Sequence, residues 1–177
     1  RFLLSVPKSE YGTAPFPLAL YCHGHTSMKL EALLFAGILA KYGIATFVID
    51  SYAHGLPLGG EFEPLIQSLI AELEVEGLAS LFDAIADDRA KDLNGDGIVD
   101  PAGDFFTYDI AHTRDAVRQT VVDYMQAARI FKSFDGNARW QHDLNGDGLS
   151  NDLAGDFNGD GIDDITQVRH ILSWKLQ

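Results

Sequence analysis

The sequence predicts an α/β protein: a parallel sheet with flanking helices, interrupted by acidic loop insertions. Three observations carry that prediction. Two short apolar runs, Leu18–Cys22 and Ile44–Ile49, read as strands buried on both faces. Between them Leu30, Leu33, Leu34, Ile38 and Leu39 fall at helical spacing. Two windows, Asp92–Asp104 and Asp143–Asp164, hold four and seven acidic residues and no Lys or Arg.

The elements follow in order. Phe2–Val6 is a short β-like run stopped by Pro7, and Ser9 to Pro17 is a turn-rich connection. The strand Leu18–Cys22 breaks at His23-Gly24-His25, and a helix over Lys29–Lys41 follows. Thr26 or Ser27 is its expected N-cap, and Gly43 ends it. Strand Ile44–Ile49 then completes a βαβ unit, a crossover that is nearly always right-handed. Pro64 to Ala90 reads as two helices broken near Gly77. Another helix is expected over Thr113–Phe134, capped by Asp109 or Thr113. Its core face would be Val117, Val121, Tyr124, Met125, Ala128 and Phe131. Val168–Trp174 fits a strand or a final helical turn. The whole reads as a single domain over 1–177, with insertions at 92–104 and 143–164.

Composition narrows the function. The 177 residues are 46% hydrophobic with net charge −13, from 26 acidic and 13 basic side chains. Such a chain buries a core but offers no positive footprint to nucleic acid or an anionic membrane. Outside the two acidic windows, 15 acidic residues face 13 basic ones, so the excess charge sits in the windows. The longest apolar run, Ala32–Ala40, is nine residues and too short for a transmembrane segment. Cys22 stands alone and forms no intrachain disulfide. The chain opens at Arg1 inside a strand-like run, as a fragment or processed product would.

The windows hold a threefold motif. Asp92, Asn94, Asp96 and Asp100 occupy positions 1, 3, 5 and 9 of a loop with Gly97 at position 6. Asp143, Asn145, Asp147 and Asn151 repeat the spacing, as do Asp156, Asn158, Asp160 and Asp164. Alternate oxygens aimed inward, with glycine at the sharp turn, suit Ca²⁺, and position 7 adds a carbonyl from Ile98, Leu149 or Ile162. Position 12, normally a bidentate Glu, is Gly103, Ala154 or Gln167. Asp104 is placed to close the first loop, and Asp156 to close the second while opening the third. With fewer charged ligands, affinity belongs at the weak, extracellular end of the calcium range. Solvated Asp/Asn/Gly turns are the bland reading, and three copies with the same ninth-position oxygen weigh against it.

Cys22-His23-Gly24-His25 sits where a buried strand ends and a helix begins. A glycine turn there exposes backbone N–H groups, as an oxyanion hole requires. On the strand Leu18–Cys22, the His23-Gly24 turn, helix Lys29–Lys41, strand Ile44–Ile49 and the Asp50…His54-Gly55 turn, the chain resembles the α/β-hydrolase family of lipases and esterases. More loosely, it resembles bacterial lipase-like proteins with inserted calcium loops. The resemblance covers most of residues 1–135. It implies that the backbone N–H of His25 or Thr26 is an oxyanion donor, with an ester or lipid as substrate. It also implies that helix Thr113–Phe134 precedes the nucleophile strand, where Val168–Trp174 falls. The family's G-x-S-x-G elbow is absent from this sequence.

His23 is expected as a buried, hydrogen-bonded imidazole rather than a metal ligand. His54 should cap the loop after its strand, His112 should start a helix or line a pocket, and Cys22 should be a buried small hydrophobe. The expected protein is the amino-terminal portion of a secreted or cell-surface bacterial serine hydrolase, inactive as this fragment. Structural Ca²⁺ would hold both acidic windows rigid beside the site. Its rival is a non-enzymatic calcium-dependent adhesion or scaffold module whose loops resemble dockerin or thrombospondin-type repeats. The preceding βαβ unit favours the enzyme scaffold. A third reading is a decayed hydrolase that keeps only the fold.

Overall fold

A computed structural model of the chain describes residues 1–55, 89–99, 102–103, 105–143, 148, 150–165 and 172–173, with 64, 67–68 and 70–72 between them. The two helices expected over Pro64–Ala90 therefore lie mostly outside the described residues. So do Asp100, Asp104, Asn145, Asp147 and Leu149, and all of Val168–Trp174 but two residues.

The described sheet has four strands: β1 (Leu3–Ser5), β2 (Leu18–Tyr21), β3 (Ala45–Val48) and β4 (Leu172–Ser173). Their order across the sheet is β1-β3-β2-β4. β2 pairs in parallel with β3, Leu18 opposite Ala45, and in parallel with β4, Ala19 opposite Leu172. β1 runs antiparallel to β3, so the described sheet is mixed rather than wholly parallel.

Helical layers cover both faces. Leu18, Leu20, Ala45 and Phe47 pack with Ala127, Phe131 and Phe134 of the long helix α2 (Ile110–Lys132) and its exit. The Phe47 and Phe131 rings meet edge to face at 4.9 Å, a contact contributing about 0.5–1.5 kcal/mol beyond burial. On the other face Tyr21 and Val48 pack with Ala32 and Phe35. Neighbouring residues of one strand thus serve opposite layers, as the two-residue period requires.

The segment between β2 and β3 departs from expectation. It is a 3-10 helix, Lys29–Leu34, followed by a short α1, Ala36–Lys41, with Phe35 at the break. Neither Thr26 nor Ser27 caps it. The N-cap is Met28 without a side-chain bond, and Asp50 at the end of β3 accepts the Lys29 N–H at 2.6 Å. Ser27 instead donates to Glu31 at 2.6 Å. The buried residues here are Ala32 and Ala36 with Lys29, whereas Leu33, Leu34 and Ile38 are exposed.

α2 repeats that lesson. Asp109 caps it, accepting the Ala111 N–H at 2.9 Å and the His112 N–H at 3.4 Å. The buried face is Ala116, Thr120, Ala127 and Phe131. Val117, Val121 and Met125, expected in the core, are exposed. Ala116 packs with Ala53, Ala102 and Phe105, Thr120 accepts the Tyr52 N–H at 3.0 Å, and Ala127 and Phe131 join the sheet core, so these contacts decide which face turns inward. Among the described residues no helix is long and apolar enough to cross a membrane.

Candidate functional site

β3 and β4 lie on opposite sides of β2, so the chain leaves β2 one way and returns on the other. That is a topological switch point, where open α/β sheets bind ligands beyond the carboxyl ends of their strands. The segment Cys22–Met28 leaves β2 at this place.

Its geometry is strained. The Ser27 N–H donates to the Gly24 carbonyl at 3.2 Å, closing a four-residue turn. Thr26, third in the turn, has φ +62°, and His25 does not share the left-handed conformation. That combination is a type II turn, which ordinarily places glycine where Thr26 stands. Among the described residues neither the His25 nor the Thr26 N–H has an acceptor, and both residues are exposed. Thr26 Oγ1 donates to the His25 carbonyl at 2.6 Å.

Among the described residues two other non-glycine positions have left-handed backbone, Ala53 at φ +63° and Ala102 at φ +68°. They are joined, the Ala102 N–H donating to the Ala53 carbonyl at 3.0 Å. Ala53 belongs to the loop after β3, and both alanines share a cluster with Phe105 and Ala116. All three strained positions therefore gather at the carboxyl end of the sheet, and such strain collects at functional sites.

His23 is buried. The Ser51 N–H donates to its Nε2 at 2.9 Å, which leaves Nδ1 to donate to the Gly24 carbonyl at 2.9 Å. Both nitrogens are occupied, so the ring is a brace between the two loops and not a free ligand. His54 does not cap its loop through the main-chain N–H groups. Its Nδ1 donates to the Tyr52 carbonyl at 3.0 Å, and burial holds its pKa below the ordinary value despite that bond. Its ring stands 5.1 Å from His23, 5.8 Å from His25 and 4.8 Å from Phe105. Phe106 meets His25 at 4.7 Å. His112 lies in the first turn of α2 with its Nε2 buried and without a partner among the described residues. Cys22, expected buried, is exposed.

Beneath the turn lies a buried ion pair. Lys29 and Asp50 are 1% and 2% exposed, and the Lys29 ammonium donates to Asp50 Oδ2. Arg89 closes the side, donating to the Asp50 carbonyl at 3.2 Å and to Asp123 at 2.6 Å. The Tyr124 hydroxyl lies between the carbonyls of Tyr21 and Ile49, pinning α2 to the ends of β2 and β3, and burial raises its pKa. Sequence reasoning placed Asp50 in the turn after its strand but missed its partner Lys29, and it missed Arg89 and Tyr124 as members of this place.

The acidic loops have matching geometry where they are described. In the first, Asp92 accepts the N–H groups of Gly95 at 2.6 Å and Gly97 at 2.9 Å. Asn94 accepts from Asp96, and Asp96 from Ile98. In the third, Asp156 accepts from Gly159 at 2.7 Å and Gly161 at 2.8 Å, Asn158 from Asp160, and Asp160 from Ile162. In the second, Asp143 accepts from Gly148 at 2.9 Å, and Asn151 is exposed. The left-handed glycines at positions 4 and 6 of the first and third loops allow this winding. Each carboxylate keeps lone pairs beyond those bonds, so the oxygen set fits a hard cation. Among the described residues no three His, Cys, Asp or Glu side chains converge to hold a metal. A cation in these loops would therefore draw on amide, carbonyl and water oxygens as well.

Asp164, ninth in the third loop, is buried. It accepts the Phe157 N–H at 2.8 Å and the Asn158 amide at 2.9 Å, and burial raises its pKa. Its carbonyl accepts the Phe16 N–H at 2.7 Å. That bond corrects one expectation. The first acidic segment does reach the carboxyl end of the sheet, through Phe105 and Phe106 against His54 and His25. Residues 150–165 dock at the amino end of β2, with Ala154 and Ile165 in the core beside Phe16 and Leu18. An apolar cavity of about 190 Å³ on the α2 side, lined by Phe2, Phe47, Phe131 and Trp140 among others, holds no titratable group.

Comparison of the chain with protein-family models, curated proteins and solved structures finds no match in any of the three.

Proposed function

We propose that this chain is the amino-terminal portion of a secreted serine hydrolase acting on esters or lipids, with structural Ca²⁺ in its acidic loops. One observation carries the reading: the strained Gly24–Ser27 turn at the switch point, with two backbone N–H groups lacking acceptors among the described residues. Neighbouring N–H groups without a protein acceptor, in a turn at a strand's carboxyl end, are available to a developing oxyanion. The β4 pairing supports it further. β4 runs parallel to β2 on the side away from β3, the position that the resemblance expects for the nucleophile strand. Ca²⁺ in the first loop would stiffen the segment that carries Phe105 and Phe106 to His25. The rival calcium-dependent scaffold draws on the loops alone and leaves the strain at Thr26 without a role.

The test is labelling by a fluorophosphonate and hydrolysis of p-nitrophenyl esters. The 177-residue chain, lacking the G-x-S-x-G elbow, should be inert, and a product continuing beyond Gln177 should react. In that product His25→Pro removes one N–H at a turn position that accepts proline. It should lower kcat by about 10²–10³. No labelling of the longer product, or an unchanged kcat in the variant, rejects the reading.

A further inference from the structure

Asp163 is the eighth residue of the third acidic loop, counted from Asp156. In a loop whose odd positions turn toward one cation, the eighth faces away from it. Here it faces the protein. Asp163 is 4% exposed, and neither carboxylate oxygen has a hydrogen-bond partner among the described residues. The Asp135–Ala138 turn at the exit of α2 lies against it: a Cβ built on Gly136 would stand 3.5 Å from Asp163 Oδ2.

That turn presents a second carboxylate. Asp135 accepts the N–H groups of Asn137 at 2.9 Å and Ala138 at 2.8 Å, both on Oδ1, so its other oxygen can still turn to a cation. The Gly136 N–H and the Arg139 guanidinium are near enough to favour the charged carboxylate, but no Lys or Arg among the described residues forms an ion pair with it. A buried carboxylate with both oxygens unsatisfied is costly, and structures resolve that cost with a proton, a cationic side chain or a metal ion.

We propose that Asp163 and Asp135 are ligands of a further Ca²⁺ site, set between the Asp135–Ala138 turn and the back of the third loop. Carboxylates complemented by main-chain and water oxygens suit this hard ion, whose coordination is flexible. The site is separate from any ion held by Asp156, Asn158 and Asp160, and it stands whether or not they hold one. It would tie the exit of α2 to the segment whose Ile165 completes the core.

The experiment is calorimetric titration of the chelator-stripped full chain with Ca²⁺, with thermal melts at each end. Asp163→Asn keeps shape and removes charge. It should lose one binding event or weaken it at least tenfold, while Asp160→Asn leaves that event intact. Asp135→Asn, at an exposed position where folding is safe, should weaken the same event. Without Ca²⁺ the Asp163→Asn chain should melt above the parent, and its gain in Tm on adding Ca²⁺ should shrink. The proposal is overturned if Asp163→Asn and Asp135→Asn bind with the parent's stoichiometry and affinity. Loss of the same event in Asp160→Asn also overturns it, because the ion is then the loop's own. If the parent binds no Ca²⁺ at all, this site and the loop sites fall together.

Discussion

Asp50 serves two donors at once, the Lys29 main-chain N–H and the Lys29 ammonium, both in the interior. An ion pair of this kind adds little net stability against an apolar pair, yet removing one partner strands the other charge. Asp50→Ala should therefore cost about 3–5 kcal/mol in urea denaturation. Lys29→Met with Asp50→Ala should cost clearly less than the sum of the two single changes. Additive costs would show that the pair is not coupled. His54 gives a pH prediction. Burial keeps its folded pKa below the ordinary 6.5. The unfolded chain therefore binds the proton first, and stability falls as pH drops below that value, until the folded ring also protonates. Tm should decline between about pH 7 and pH 5, and His54→Gln should flatten that part of the curve.

Among elements, the sharpest contrast is between two glycines. Gly37 lies in α1 with open space where a methyl group would sit, so Gly37→Ala should stabilise by about 0.5–1 kcal/mol. Gly155 has φ +99°, and an added Cβ would stand 3.0 Å from the buried Phe134 ring. Gly155→Ala should instead destabilise by about 1–3 kcal/mol, measured by thermal melts. Equal effects at the two positions would contradict the packing described at the exit of α2. The helices also show how far periodicity reaches. It located α2 within a few residues but chose Val117, Val121 and Met125 for the core, where Ala116, Thr120 and Ala127 are buried. Hydrophobicity ranks the larger side chains first, whereas the loop after β3 meets the helix at Ala116 and Thr120 and so buries the smaller ones.

At the scale of the molecule, three segments far apart in sequence meet beyond the carboxyl ends of β2 and β3. The His25 ring of the Gly24–Ser27 turn meets His54 and Phe106 edge to face, and the loop Asp50–Gly55 joins Ala102 by a hydrogen bond and Phe105 by an edge-to-face ring contact. The third acidic loop lies at the other end of the sheet, so an ion there supports the core and not the crevice. Local chemistry determined much of this from the sequence alone. Continuous apolar runs marked β2 and β3, and Asp, Asn and Gly at fixed spacing specified the winding of the acidic loops, because those features depend on neighbours a few residues away. The tertiary structure decided which end of the sheet each loop reaches and which helix face is buried. It also decided that Asp50 of one strand caps the helical segment before it and that Asp163 is buried. Those outcomes rest on contacts such as Phe16 with Asp164 and His25 with Phe106, which form only when distant segments compete for the same space.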